Sequence, residues 1–407
     1  MSSCSLASDA LCGWQAGPDT RSTLGILWSS LSTIWLCTWT CLCLNIPEPG
    51  TRGWRFLLYK FRWQLFAILF PEVLVASAAE QWVSARQSVD TFDRLGYSEW
   101  WSIRHGFLAD MGSFQLAYLV EHNHLAMPHL SPDDIRAVNK ADGLGRAFTL
   151  VQVVWFCFAC LDRACGRIGL TPLELETLTF ILCTFHTFFF WYHKPLDPAR
   201  QIVIPVNQTI GQLYTRSRNQ PVMFEQTPLD SLRPPPDPKS LIMPFWFGSK
   251  IVFDMFRPAT KRNSKEEHAG TISNSAITPP EGISWLLTSY LIVFQVVYYG
   301  LHIGIARIIP FTSRTEFYLW EVNLFPRSLG SHAAPWLARR LFRKQASTVL
   351  EVASMLPYWA KLLIHGPFVV GYIVARVLVL AVALSTLRAL PPLLYQDGNW
   401  SNFLPHI

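Results

Sequence analysis

Apolar residues gather in about six long runs, each near the length a bilayer core demands, about 20 residues, and short basic or proline-rich breaks separate them. The first run, Leu24–Leu44, ends at NIPEPG, where Pro47 and Pro49 cannot continue a helix. A second is expected over Trp63–Ala79, with Pro71 and Glu72 side by side inside it. A third covers Ala147–Leu161, and a fourth lies within LTPLELETLTFILCTFHTFFFWYHKPLD (170–197). The fifth, Ser284–Ile309, has the plainest pattern, and the last spans Ala360–Leu384. Between the second and third runs, Glu99–Val120 is apolar but carries Arg104, His105 and Asp110. It suits an interfacial or re-entrant segment better than a crossing.

This pattern predicts an all-α, polytopic helical membrane protein with about six transmembrane helices, in a range of roughly five to eight, plus interfacial helices. The chain divides into a polar N-terminal segment (1–23), a membrane body with four spans and the 99–120 segment (24–196), a long polar loop (197–282), and a second membrane body with the tail (283–407). Arg52, Arg55, Lys60 and Arg62 follow the first span closely, which assigns that loop to the cytosol and the N-terminus to the lumenal or external side. An even number of crossings returns the C-terminus to the same side. Two sequons, at Asn207 and Asn399, then face the compartment where glycosylation occurs. Endoplasmic reticulum or another endomembrane fits better than the plasma membrane.

Composition supports this picture. Of 407 residues, half are hydrophobic and 15% charged, against about a quarter charged in soluble domains. Seventeen tryptophans supply interfacial aromatics. The net charge of +6 forms no strongly basic face, so a lipid bilayer is the expected partner and nucleic acid is not. The nine cysteines show no evenly spaced set in a polar loop, so no disulfide framework is expected. Cys157-Phe-Ala-Cys160 has the C-x-x-C spacing but lies inside an apolar run without a second pair, and small core residues explain it better than zinc. No cofactor can be named.

Four groups are candidates for chemistry: Glu72, Asp110, Glu176 and His186. An ionisable side chain within an apolar span is a functional hypothesis by default. Thr171-Pro-Leu-Glu174 has the form of a capping box, which gives Glu174 a structural task. Glu176 has no such task, because one acid closes the box. His186 lies mid-span among phenylalanines; it either bonds to another helix or relays protons and touches substrate. His193 sits in an interfacial aromatic belt and reads as an anchor. Glu72 follows a proline, where a kink opens room. Arg376 either snorkels or pairs with an acid, Glu72 among the possibilities. His122, His124 and His129 precede a helix start at Ser131 and read as a surface loop rather than a metal site.

Several stretches taken together, NKADGLGRAFTLVQVVWF (139–156), LTPLELETLTF (170–180), WYHKPLD (191–197) and the tail ARVLVLAVALSTLRALPPLLYQDGNWSNFLPHI (375–407), resemble blocks of a large fungal family of multi-pass membrane proteins without established function. The resemblance implies a fungal source and a helical membrane body, and carries over no catalytic residue. After EFYLWEVN (316–323) the chain departs: Pro326, Arg327, Pro335, Arg339 and Arg340 stand where the family continues into an apolar segment. The first functional expectation is a protein that handles a lipophilic small molecule in lipid or secondary metabolism. The alternatives are a membrane-embedded enzyme such as a terpenoid cyclase, isomerase or acyltransferase, and a non-catalytic scaffold. The enzyme reading requires two or more of the candidate groups to converge. The scaffold reading requires each to find a local backbone partner. Oligomeric state is not legible.

Overall fold

Most serine and threonine hydroxyls of the first apolar run bond back to its own carbonyls, and Ser30 Oγ is buried without a hydrogen-bond partner among the described residues. In the computed structural model, α1 covers Thr23–Thr40. Ser22 caps it by accepting from the Gly25 amide at 2.9 Å. Thr33, Thr38 and Thr40 each donate to the carbonyl four residues back, at 2.7–2.8 Å. The described residues are 11–16, 21–44, 53–94, 120, 123, 143–194, 285–306, 311, 313–322 and 358–396. They form seven further α-helices: α2 (Trp54–Leu69), α3 (Pro71–Arg94), α4 (Gly143–Cys165), α5 (Pro172–Phe190), α6 (Trp285–Ala306), α7 (Arg314–Val322) and α8 (Tyr358–Ser385). Two 3-10 turns follow, at Thr386–Arg388 and Pro392–Tyr395. Among the described residues the only β pairing is a bridge between Cys12 and Leu390.

Three helical stretches are long and apolar enough to cross a membrane: Gly145–Cys165, Pro172–Phe190 and Val370–Arg388. A fourth arises if α2 and α3 count as one broken span, and Val293–Ile303 is a shorter apolar helix. The described residues thus meet the expectation of about six only in part. On α4, Phe148, Val151, Val154, Phe158 and Leu161 are all exposed. An apolar stripe of this length is costly in water and natural against lipid tails.

The expected second span, Trp63–Ala79, is interrupted at its middle. Phe70 breaks the helix, and α2 and α3 meet at 104°. The Phe70 amide closes α2 on Phe66 at 2.8 Å, while its carbonyl opens α3 by accepting from Leu74 at 3.1 Å. Pro71 takes the first position of α3, where a missing N–H costs nothing.

One end of the bundle is held by both chain ends. The Cys12 and Leu390 backbones exchange bonds at 2.8 and 3.0 Å, the Arg21 amide donates to the Tyr395 carbonyl at 3.1 Å, and the Tyr395 hydroxyl donates to the Gly13 carbonyl at 3.1 Å. We call this the clasp end. Cys12 is disulfide-bonded, a single bridge where the sequence predicts no disulfide framework. A short N-terminal segment without a second cysteine-rich loop gave no pattern for it. The helices α1 and α5 start at the clasp end and run in parallel to the far end. There Lys60 of α2 lies over the Trp39 ring at 4.6 Å, and Gln81 of α3 accepts from Trp191 Nε1 and Lys194 Nζ at 2.9 and 2.8 Å. Both legs of the α2–α3 bend therefore reach the far end. The apex at Phe70–Glu72 dips into the bundle, with Glu72 nine residues from Gln81, roughly 14 Å along the helix.

Candidate functional site

Glu72 stands in the first turn of α3, one residue past the proline that starts it. It is 3% exposed. The Tyr372 hydroxyl of α8 donates to Glu72 Oε1, and Glu72 Oε2 has no hydrogen-bond partner among the described residues. Tyr372 is fixed by stacking on Phe70, with ring centroids 4.9 Å apart and planes 12° apart. The break that ends α2 thus supplies both the acid and the ring that positions its donor.

Four residues beyond Tyr372, one turn along the same face of α8, Arg376 is completely buried. Its Nη1 lies 2.6 Å from Oε1 of Glu176, also completely buried, on α5. The contact is close enough for an ion pair but too far off axis for a hydrogen bond, since neither Glu176 oxygen has such a partner among the described residues. Arg376 Nε donates to the Ile68 carbonyl at 3.3 Å, Nη1 to the Tyr298 hydroxyl at 3.4 Å, and the guanidinium lies 4.7 Å from the Phe180 centroid. One arginine therefore ties the last turn of α2 to α5, α6 and α8. On α6, His302 Nδ1 sits 3.8 Å from Glu176 Oε2, an electrostatic rather than hydrogen-bonding distance. Cys183 of α5 lies within electrostatic reach of Glu72, Glu176 and Arg376 alike, so the two acids share one region.

Glu72 and Glu176 are thus brought together, and their partners differ from the expected one. Arg376 pairs with Glu176, and Glu72 is held by Tyr372. His186 separates from this cluster. His186 Nδ1 makes a 2.7 Å bond to the Leu182 carbonyl of its own helix and packs among Phe185, Tyr290 and Phe294. The expected inter-helical bond is replaced by a local one, because an i−4 carbonyl is always within reach. His193 is exposed at the far end, as an anchor requires. Asp110, the three histidines of 122–129, Asn207, Asn399 and the side chain of His365 lie outside the described residues. Cys157 and Cys160 are free thiols. Among the described residues no group of three or more His, Cys, Asp or Glu side chains could hold a metal ion.

Glu174 has the structural task assigned to it. The Thr171 hydroxyl accepts from the Glu174 amide at 3.3 Å, and Glu174 Oε2 accepts from the Thr171 amide at 3.0 Å, which completes the capping box. Its other oxygen takes Arg21 and Arg163 together. Burial pulls the Arg21 guanidinium below its ordinary pKa, against the pull of Glu174 upward. This cluster closes the clasp end.

Sequence reasoning missed Tyr298, Tyr372 and His302. His302 had the signal of His186, a lone imidazole in an apolar run. The tyrosines had none, since aromatic residues fill every span.

A family model described as a family of unknown function (DUF8562) matches residues 1–94 and 119–215, just under half of the chain. Glu72 and Glu176 fall within the matched stretches, and Tyr298, His302, Tyr372 and Arg376 fall beyond them. No curated protein and no solved structure matches the chain.

Proposed function

We propose that this chain is a multi-pass integral membrane protein that binds the polar group of a lipophilic small molecule at the Glu72–Tyr372–Arg376–Glu176 cluster, in fungal lipid or secondary metabolism. One observation carries the reading: two buried carboxylates, an arginine and a tyrosine from three different helices converge where α2 and α3 break. Burying charges inside apolar helices costs several kcal/mol each before pairing. Irregular backbone at membrane depth is tolerated where it lines a cavity or is covered by protein. A scaffold would have little use for either. His186, with its local carbonyl partner, fits a scaffold role; Glu72 and Glu176 do not. About six spans and lumenal termini remain our proposal for the topology, with a lumenal clasp end supported by the disulfide at Cys12.

A second reading has its own support. A tyrosine hydroxyl donating to a carboxylate can pass a proton in a water-poor site, so the Tyr372–Glu72 pair suits acid/base chemistry on a terpenoid or acyl substrate.

The test is untargeted metabolite profiling of a strain lacking the protein, complemented with wild type, Glu72→Gln, Arg376→Met/Glu176→Met or His186→Ala. At equal protein level, wild type and His186→Ala are expected to restore the profile, and the two cluster variants to fail. Accumulation of a precursor with loss of its product selects the enzyme reading. A changed distribution of an unaltered metabolite selects the binding reading. Full rescue by Glu72→Gln would remove the cluster from function.

A further inference from the structure

The arrangement of charge says which kind of polar group the site receives. We infer that it is a protonated amine carried on a lipophilic body; this rests on the binding reading above. The arginine is already engaged, by Glu176, by the Tyr298 hydroxyl and by the Ile68 carbonyl, with its face against Phe180. Its Nη2 carries no hydrogen bond among the described residues, but its charge is already met by Glu176, and an anionic head would sit beside two carboxylates. Glu72 is the opposite case. One oxygen takes the Tyr372 hydroxyl, and the other is buried and unpartnered among the described residues.

A buried carboxylate oxygen without a donor is expensive, and a donor that brings positive charge relieves it best. By formal count, with the His302 imidazole neutral, the cluster has two carboxylates, Glu72 and Glu176, against one guanidinium, so an added cation evens the balance and an added anion worsens it. The walls agree. Phe70 stacks on Tyr372, and Phe66 lies 5.1 Å from Phe70. Ring faces beside a carboxylate attract ammonium groups through their quadrupole. The break in the backbone places this acid and these rings together at the apex, so the same feature that carries Glu72 inward provides the aromatic surface for the rest of the cation.

The experiment uses the full chain in lipid nanodiscs and three probes with one alkyl tail: dodecylamine, dodecanol and dodecanoate. Empty nanodiscs correct for partition into lipid. Binding of the amine is expected to be tighter than that of either other probe by about tenfold, the range of a desolvated cation on aromatic faces. Glu72→Gln is expected to remove the preference for the amine while leaving elution on gel filtration unchanged. The ranking of the three probes on the wild-type chain tests the inference even if that variant misfolds. Tighter binding of the alcohol or the carboxylate, lost in Glu72→Gln, would overturn the amine and keep the binding site. Equal binding of all three, or no binding beyond that of empty nanodiscs, would overturn both.

Discussion

Replacing Arg376 by methionine tests the centre of the cluster. Arg376 and Glu176 are both fully buried, so solvent screening does not dilute their interaction. Removing one partner of such a pair typically costs about 3–5 kcal/mol, because the other charge is left buried alone. The loss here extends further, since Arg376 also bonds to Ile68 and Tyr298. Replacing both partners by apolar side chains is often neutral or better. Arg376→Met and Glu176→Met should therefore each destabilise strongly, and the double variant should recover most of the loss. The coupling between the two sites should reach about 3 kcal/mol, a factor of roughly 150. Membrane proteins tend to unfold irreversibly, so the practical assay is the half-life of the folded, detergent-solubilised chain at one fixed temperature. The rate captures only the part of the coupling lost at the transition state, but its sign is unaffected. A double variant as short-lived as the two single losses added together would refute the pair.

Further expectations follow from the clasp end and from α5. Thr171→Ala should cost about 1 kcal/mol through the lost cap, read as a shorter half-life in the same assay. Arg21→Met should destabilise the clasp end while Arg163 still holds Glu174, and hydrogen exchange should rise at residues 11–16 and 390–395 before it rises in α5. Cys12 should resist maleimide labelling in the unreduced, denatured chain and label once a reductant is added. In sealed endomembrane vesicles an impermeant reductant should fail to expose it, and labelling of Cys12 under that condition would place the clasp end in the cytosol. His186→Ala should change half-life little, since its bond is local to its own helix.

Local chemistry was legible in the sequence, and long-range pairing was not. Thr-Pro-Leu-Glu announced the capping box at α5 because every partner lies within four residues. The same logic left Glu176 without a task, which was the correct signal that it serves something distant. That partner, Arg376, is 200 residues away, and chain order does not say which helices are neighbours. Pro71 marked a disturbance but not its size, because a proline at a helix start and a proline in a kink look alike in sequence. The break belongs to Phe70, an apolar residue with no turn signature. His186 misled for a physical reason: an imidazole in an apolar run can be satisfied by its own backbone, and composition does not distinguish that from a bond to another helix. The clasp escaped notice because it joins residues near opposite ends of the chain through backbone atoms, which carry no sequence label.

The most direct test of a ligand-binding cluster is to ask what travels with the protein. The wild-type chain, Glu72→Gln and His186→Ala would be purified in parallel from native membranes, and organic extracts of each compared by mass spectrometry. A lipophilic, amine-bearing molecule is expected with the wild type and His186→Ala in near-stoichiometric amount, and is expected to be depleted from Glu72→Gln. The same extract from all three, with no molecule that depends on Glu72, would contradict the assignment of the buried cluster as a binding site.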